Sequence, residues 1–154
     1  MPDGPPRRGS EAPRRPGTAG IKVFGDIEDK PDETFKAGGA TMRVQNAYEY
    51  RQSAGSYIAA AKWPNVKTLL DAAKTTGSTW FINFTSASHS PPTLGGYPLD
   101  IAWGNWGMNA LLCRYLVTNP PFKGRLGTIL MDGPEEPGGN AMVCHLLIAM
   151  NEQL

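Results

Sequence analysis

Long apolar runs are missing from this 154-residue chain, in which apolar residues make up 40%. None approaches the roughly 18 consecutive apolar residues that a helix needs to cross a bilayer, so no transmembrane helix is expected. Charge of one sign is lacking too. The first twenty residues carry four Arg against Asp3 and Glu11, or +2, which leaves −1 on the rest and +1 on the whole. A chain so balanced offers no basic face, and nucleic acid is not an expected partner. Cysteine is down to Cys113 and Cys144, each inside an apolar helical pattern. Buried free thiols are the expectation, with a disulfide or a reactive cysteine as the alternatives, and the redox compartment stays open. Histidine is equally scarce: His89 lies in a Ser-His-Ser-Pro-Pro loop and His145 on the last helical pattern. Two histidines match an acid–base count in number, but a solvated loop residue and a helix-flank residue are the readings their positions favour.

What is present divides into two parts. Residues 1–20 hold five prolines and four arginines and no apolar h-region, so they read as a disordered tail and not as a signal peptide. A linker is the plain reading of this tail, and contact with acidic lipid or nucleic acid the alternative. From residue 21 onward, short β-type runs alternate with amphipathic helices, the pattern of parallel βα units. Residues 40–48 predict a strand, and 64–75 a helix with Pro64 in its first turn and Val66, Leu69, Leu70 and Ala73 on one face. The run TWFINFT at 79–85 predicts a strand buried on both faces. A long loop at 86–104 follows, then a helix at 105–117, a strand at 127–132 and a helix at 140–151, with a further short strand conceivable at 21–24. The fold class is α/β, with three to four parallel strands joined by crossover helices. A closed eight-stranded barrel takes about 250 residues, so the chain supplies either a small open sheet or part of something larger.

The segment GRLGTILMDGP at 124–134 runs an apolar strand into a carboxylate and then stops it with Gly-Pro. Ligands of parallel sheets gather at the carboxyl ends of strands, where Asp132, Asn46 with Tyr48, and Ser86 all fall. A turn-capping role is the plain reading of Asp132, and a carboxylate that orients a histidine or binds substrate is the functional one.

INFTSAS at 82–88, the segment from DETF at 32–35 to VQNAY at 44–48, and TILMD at 128–132 resemble, in order and spacing, the C-terminal half of the X domain of phosphatidylinositol-specific phospholipase C of the single-domain bacterial and fungal type. The resemblance spans most of 21–151 and implies the C-terminal half of a distorted TIM-type barrel. That family cleaves phosphatidylinositol to diacylglycerol and a cyclic inositol phosphate without a metal or other cofactor. One histidine takes the proton of the inositol 2-hydroxyl, a second protonates the leaving group, and an arginine steadies the phosphorane-like charge. On this resemblance Asp132 matches the aspartate that orients the general-base histidine, and Tyr48 an aromatic that packs on the inositol ring. Asn46 stands where the bacterial form has an aspartate, a change that gives up a charge-assisted bond. The two catalytic histidines and the arginine belong to a half that nothing here matches except, weakly, Arg14 and Arg15. A truncated chain that is inactive alone is therefore expected, with a non-catalytic interaction module as the alternative.

The resemblance also implies a phosphatidylinositol-type headgroup as partner and a family that is commonly secreted or acts at membrane surfaces. Trp103 is the candidate for dipping into a bilayer interface, while Trp106 is expected in the core. An open half-barrel would expose a strand edge and favour self-association. Asn83-Phe84-Thr85 fits an N-glycosylation sequon, but a buried strand makes its use unexpected.

Overall fold

The computed structural model describes residues 30–50, 55–88, 98–104, 106–118, 125–135 and 141–151. The tail at 1–20 with Arg14 and Arg15, the strand conceivable at 21–24, and His89 lie outside these described residues. The elements are β1 (Lys30–Ala37), β2 (Ala40–Asn46), α1 (Gly55–Thr75), β3 (Thr79–Phe84), α2 (Pro98–Trp103), α3 (Met108–Thr118), β4 (Thr128–Leu130) and α4 (Met142–Asn151). They build one four-stranded sheet in the order β1-β2-β3-β4. The β2–β3 and β3–β4 pairs are parallel, as βα units joined by helices must be.

The first pair departs from that expectation. β1 runs antiparallel to β2 in a hairpin, with Phe35 opposite Met42 and Ala37 opposite Ala40. Gly38 and Gly39 both have positive φ, 57° and 85°, which the twist-matched two-residue hairpin turn demands at its two centres. Arg43 then clasps Asp32 across the hairpin, donating from Nε at 2.8 Å to one carboxylate oxygen and from Nη2 to the other. Three boundaries also shift. The helix read from Pro64 begins nine residues earlier, at Gly55, and carries Pro64 inside it. The long loop contains a short helix, α2. β4 has three residues and ends two short of Asp132.

The sheet's two faces are dressed differently. Phe81 packs against Leu69 and Ala73 of α1, and Asn83 donates from Nδ2 to the Val66 carbonyl of the same helix at 2.9 Å. The main core lies on this side, where Ile58, Val66, Leu70, Leu112, Leu116 and Val143 from α1, α3 and α4 close together. Strand alternation sends Val44 and Ile82 to the opposite face, where Phe35, Met42 and Phe84 surround them in a smaller cluster. Among the described residues no helix covers that face, as on the inside of a TIM-type barrel. Both cysteines are free thiols, Cys113 buried and Cys144 half-buried. Burial pushes the Cys113 thiol up, and the neighbouring Cys144 adds to the effect.

Far from the strand ends a polar knot ties α1 to α3. Asp71 accepts hydrogen bonds from Lys67 at 2.6 Å, Lys74 at 3.3 Å and the Tyr115 hydroxyl. The Lys74 ammonium stands 4.5 Å from the centre of the Tyr115 ring, and Trp63 meets that ring edge-on at 5.8 Å. Burial alone would push the Asp71 carboxyl up, but the bonds from Lys67, Tyr115 and Lys74 outweigh it and hold it at about 2. Burial and the Asp71 bond raise the Tyr115 hydroxyl above its ordinary value.

Candidate functional site

The three parallel strands end together. Gln45, Asn83 and Ile129 sit side by side in register, and one step further Phe84 pairs with Leu130 while Asn46 closes β2. Neighbouring strands run about 4.8 Å apart, so β2 and β4 are separated by ~10 Å with β3 between them. Asn46 shares a face with Val44, and Leu130 with Phe84, so both belong to the helix-free side. Asn46 is half-buried and Tyr48, two residues on, is 39% exposed.

Below this rim the strands are pinned by buried polar groups. Gln45 is fully buried, and the amide orientation that satisfies both its ends has the nitrogen donating to the Phe84 carbonyl at 2.8 Å and to Asn83 Oδ1 at 2.9 Å while the oxygen accepts from the Ala47 N–H at 3.0 Å. Lys62 of α1 is also fully buried and donates from Nζ to the Ala47 carbonyl at 2.5 Å. The peptide between Asn46 and Tyr48 is thus held from both sides. Past Ala47 the pairing resumes: Ser88 donates its N–H to the Tyr48 carbonyl at 2.8 Å, and Tyr50 donates to the Ser88 carbonyl at 3.2 Å. Neither Gln45 nor Lys62 is identifiable as a site residue in the sequence, because nothing there tells a buried lysine from a solvated one.

Asp132 stands in the bend after β4, with Gly133 at positive φ beside it. The bend is fixed through its backbone. Asn109 of α3 donates from Nδ2 to the Asp132 carbonyl at 3.0 Å and to the Gly133 carbonyl at 3.4 Å, and Trp103 of α2 donates its indole N–H to the same Gly133 oxygen. Thr85 anchors the strand before it, donating its backbone N–H to the Leu130 carbonyl at 2.9 Å. The Asp132 side chain is half-buried, and among the described residues none hydrogen-bonds its carboxylate, those of its own turn included. Asn109 is fully buried and its Oδ1 is a buried acceptor without a partner among the described residues, a group such a site rarely leaves idle.

The two tryptophans near this edge are arranged differently from what the sequence suggests. Trp103 is half-buried, its indole nitrogen committed to Gly133. Trp106, expected in the core, is 64% exposed at a φ of 66° and carries the Arg114 guanidinium 4.9 Å from its ring centre. Glycine flanks this segment because the backbone approaches closely: a Cβ at Gly104 or Gly107 would strike the Asp100 or Ala102 carbonyl at 2.3 or 2.4 Å. Tyr57, Leu99 and Met142 are likewise exposed apolar side chains in the opening turns of α1, α2 and α4, the helices that follow β2, β3 and β4 in the chain.

His145 is exposed on α4. Among the described residues no three His, Cys, Asp or Glu side chains converge as a metal site would need. Nor is any helix among the described residues long and apolar enough to cross a membrane.

No model of a protein family matches the chain, and no curated protein matches it significantly. Solved structures do. The phosphatidylinositol-specific phospholipase C of Staphylococcus aureus, in a structure concerned with modulation of its membrane binding, aligns at a TM-score of 0.54 and 24% identity over 75% of this chain and 36% of its own. Two mutant forms of that enzyme align at TM-scores of 0.55 and 0.53, each at 21% identity, over 75% and 79% of this chain. The chain therefore shares the fold of part of that barrel and spans little more than a third of its length.

Proposed function

We propose that this chain is a phosphatidylinositol-specific phospholipase C-like phosphodiesterase segment that presents the headgroup-binding side of the site. The observation that carries the reading is the shared carboxyl edge of β2 and β4, which sets Asn46 and Tyr48 on one side and the unclaimed Asp132 carboxylate on the other. The separation of about two strand spacings, ~10 Å, leaves room for one polyol ring between them. Tyr48 offers an aromatic surface, Asn46 an amide for ring hydroxyls, and Asp132 an acceptor that holds an imidazole N–H in one tautomer. The bend around Asp132 is fixed by Asn109 and Trp103, which is the preorganisation such an orienting role requires.

The lipid would meet the rim where Tyr57, Leu99, Trp106 and Met142 are exposed, with Arg114 drawing anionic headgroups toward Trp106. A non-catalytic binding role for these residues alone is the second reading, supported by the sequence, in which neither His89 nor His145 occupies a position that matches the family's catalytic histidines. The outer edge of β4 has no partner strand among the described residues, so we also propose that copies of the chain pair there.

Sedimentation with phosphatidylinositol vesicles and with phosphatidylcholine vesicles tests the reading. Preferential binding to the former, lost in a Tyr48→Ala, Asn46→Ala double variant that still folds, supports it; equal binding to both refutes it. Release of cyclic inositol phosphate by the chain alone, abolished by Asp132→Ala, would overturn the non-catalytic role.

A further inference from the structure

At the amino ends of the same strands, the edge opposite Asn46 and Asp132, lies a cavity of about 490 Å³ that the reading above does not use. Its volume falls in the range of about 300–1,000 Å³ typical of small-molecule sites. Among the described residues that line it, Arg125 is the one charged side chain and none is a carboxylate. The guanidinium has no ion-pair partner among the described residues and is exposed, so it is available to an incoming anion. Trp80 forms a second wall. It is 58% exposed, yet its indole N–H donates to Thr128 Oγ1 at 2.9 Å across β3 and β4, which fixes the ring plane instead of leaving it to swing. Because Thr128 Oγ1 accepts that bond, its own hydroxyl hydrogen remains to donate into the cavity. Thr76 and Ser78, both hydroxyl-bearing residues, line the same space.

A fixed aromatic plane, several hydroxyls and one unpaired guanidinium match a ring that has an apolar face, hydroxyls at its rim and an anionic substituent. We infer that this cavity is a binding site for a phosphorylated sugar, with the ring on Trp80 and the phosphate on Arg125. A bidentate guanidinium–phosphate contact supplies the charge-assisted part and the indole the stacking part. A cationic ligand is disfavoured by the same guanidinium.

Isothermal titration with glucose 6-phosphate tests this on the full chain, with glucose and inorganic phosphate as the two halves of the ligand. Saturable binding of glucose 6-phosphate is expected, at least tenfold tighter than either half. Arg125→Ala should weaken it at least tenfold and leave the thermal midpoint unchanged, since the side chain is exposed; Trp80→Ala should weaken it and Trp80→Phe should restore most of it. No saturable heat, equal affinity for glucose, or unchanged affinity in Arg125→Ala would overturn the inference. So would loss of binding in Asp132→Ala with Arg125→Ala unaffected, because the ligand would then occupy the opposite edge; the vesicle measurement on Tyr48 and Asn46 is independent of either result.

Discussion

Replacing Asn83 by Asp changes one atom group in the middle of the sheet and tests how the strand ends are pinned. Asn83 is 1% exposed, its Nδ2 donates to the Val66 carbonyl at 2.9 Å, and its Oδ1 accepts from the Gln45 amide at 2.9 Å. Aspartate keeps the shape and the acceptor but loses the donor and sets a carboxylate oxygen against a carbonyl. Loss of the donor costs about 1–3 kcal/mol at a buried site. Ionisation costs more. Burial raises such a carboxyl above its unfolded value of about 3.9, and each pH interval of one between the two values removes about 1.4 kcal/mol once the pH exceeds both. The sign follows from linkage: the folded value is raised, so the ionisation penalty is absent below about pH 4 and grows as pH rises toward the folded value. Urea titrations should therefore show a variant that is about 1–3 kcal/mol less stable than the parent at pH 4 and about 4–6 kcal/mol less stable at pH 7. A pH-independent difference, or none at all, would refute the claim that Asn83 is sealed between α1 and Gln45. The same burial implies that secretion through a glycosylating host leaves Asn83 unmodified in the folded chain, which mass spectrometry can check.

Other perturbations address separate parts of the fold. The Asp71 carboxyl, held at about 2, contributes stability that is fully present above its unfolded value of about 3.9 and lost as pH falls toward 2. The side chain is 43% exposed, so screening limits the contribution to about 1 kcal/mol or less, and Asp71→Asn should flatten the acid limb of a stability–pH curve by that amount. Trp106→Gly removes a left-handed strain of order 1 kcal/mol and a cation–π contact of similar size. Thermal melting should stay within a few degrees of the parent while sedimentation with anionic vesicles falls, and a large stability loss would contradict the exposed placement. Gly127→Ala sets a Cβ 2.5 Å from the Phe81 carbonyl at a φ of 77°, so a loss of at least about 2 kcal/mol is expected, read as a lower urea midpoint.

The parallel strands β2 and β3 were legible because VQNAY and TWFINFT concentrate β-branched and aromatic residues, and α3 and α4 because their apolar stripes keep the helical period. β1 was not, since KPDETFKA is charged and Phe35 is its one large apolar residue; its edge position lets Asp32, Thr34 and Lys36 face water, and the signal that marks it is the Gly-Gly pair that follows. Pro64 read as a helix start because proline favours the first turn, but nothing in one chain's sequence says that the turn before it continues. Around the candidate site, the positions of Asn46, Tyr48 and Asp132 at strand ends followed from order and spacing. The fixing of their backbone by Lys62, Gln45 and Asn109 did not, because each acts through a contact between residues far apart in the chain.

The sealed ammonium of Lys62 makes the joint between α1 and β2 readable by covalent labelling. Amine-reactive reagents attack only the neutral, solvent-reached form of a lysine, so exposed Lys67 should be acylated at once, whereas Lys62 waits until the helix lifts from the Ala47 carbonyl. Its lag behind the other lysines is thus a clock for the opening of the floor beneath the strand ends, timed residue by residue in a peptide map.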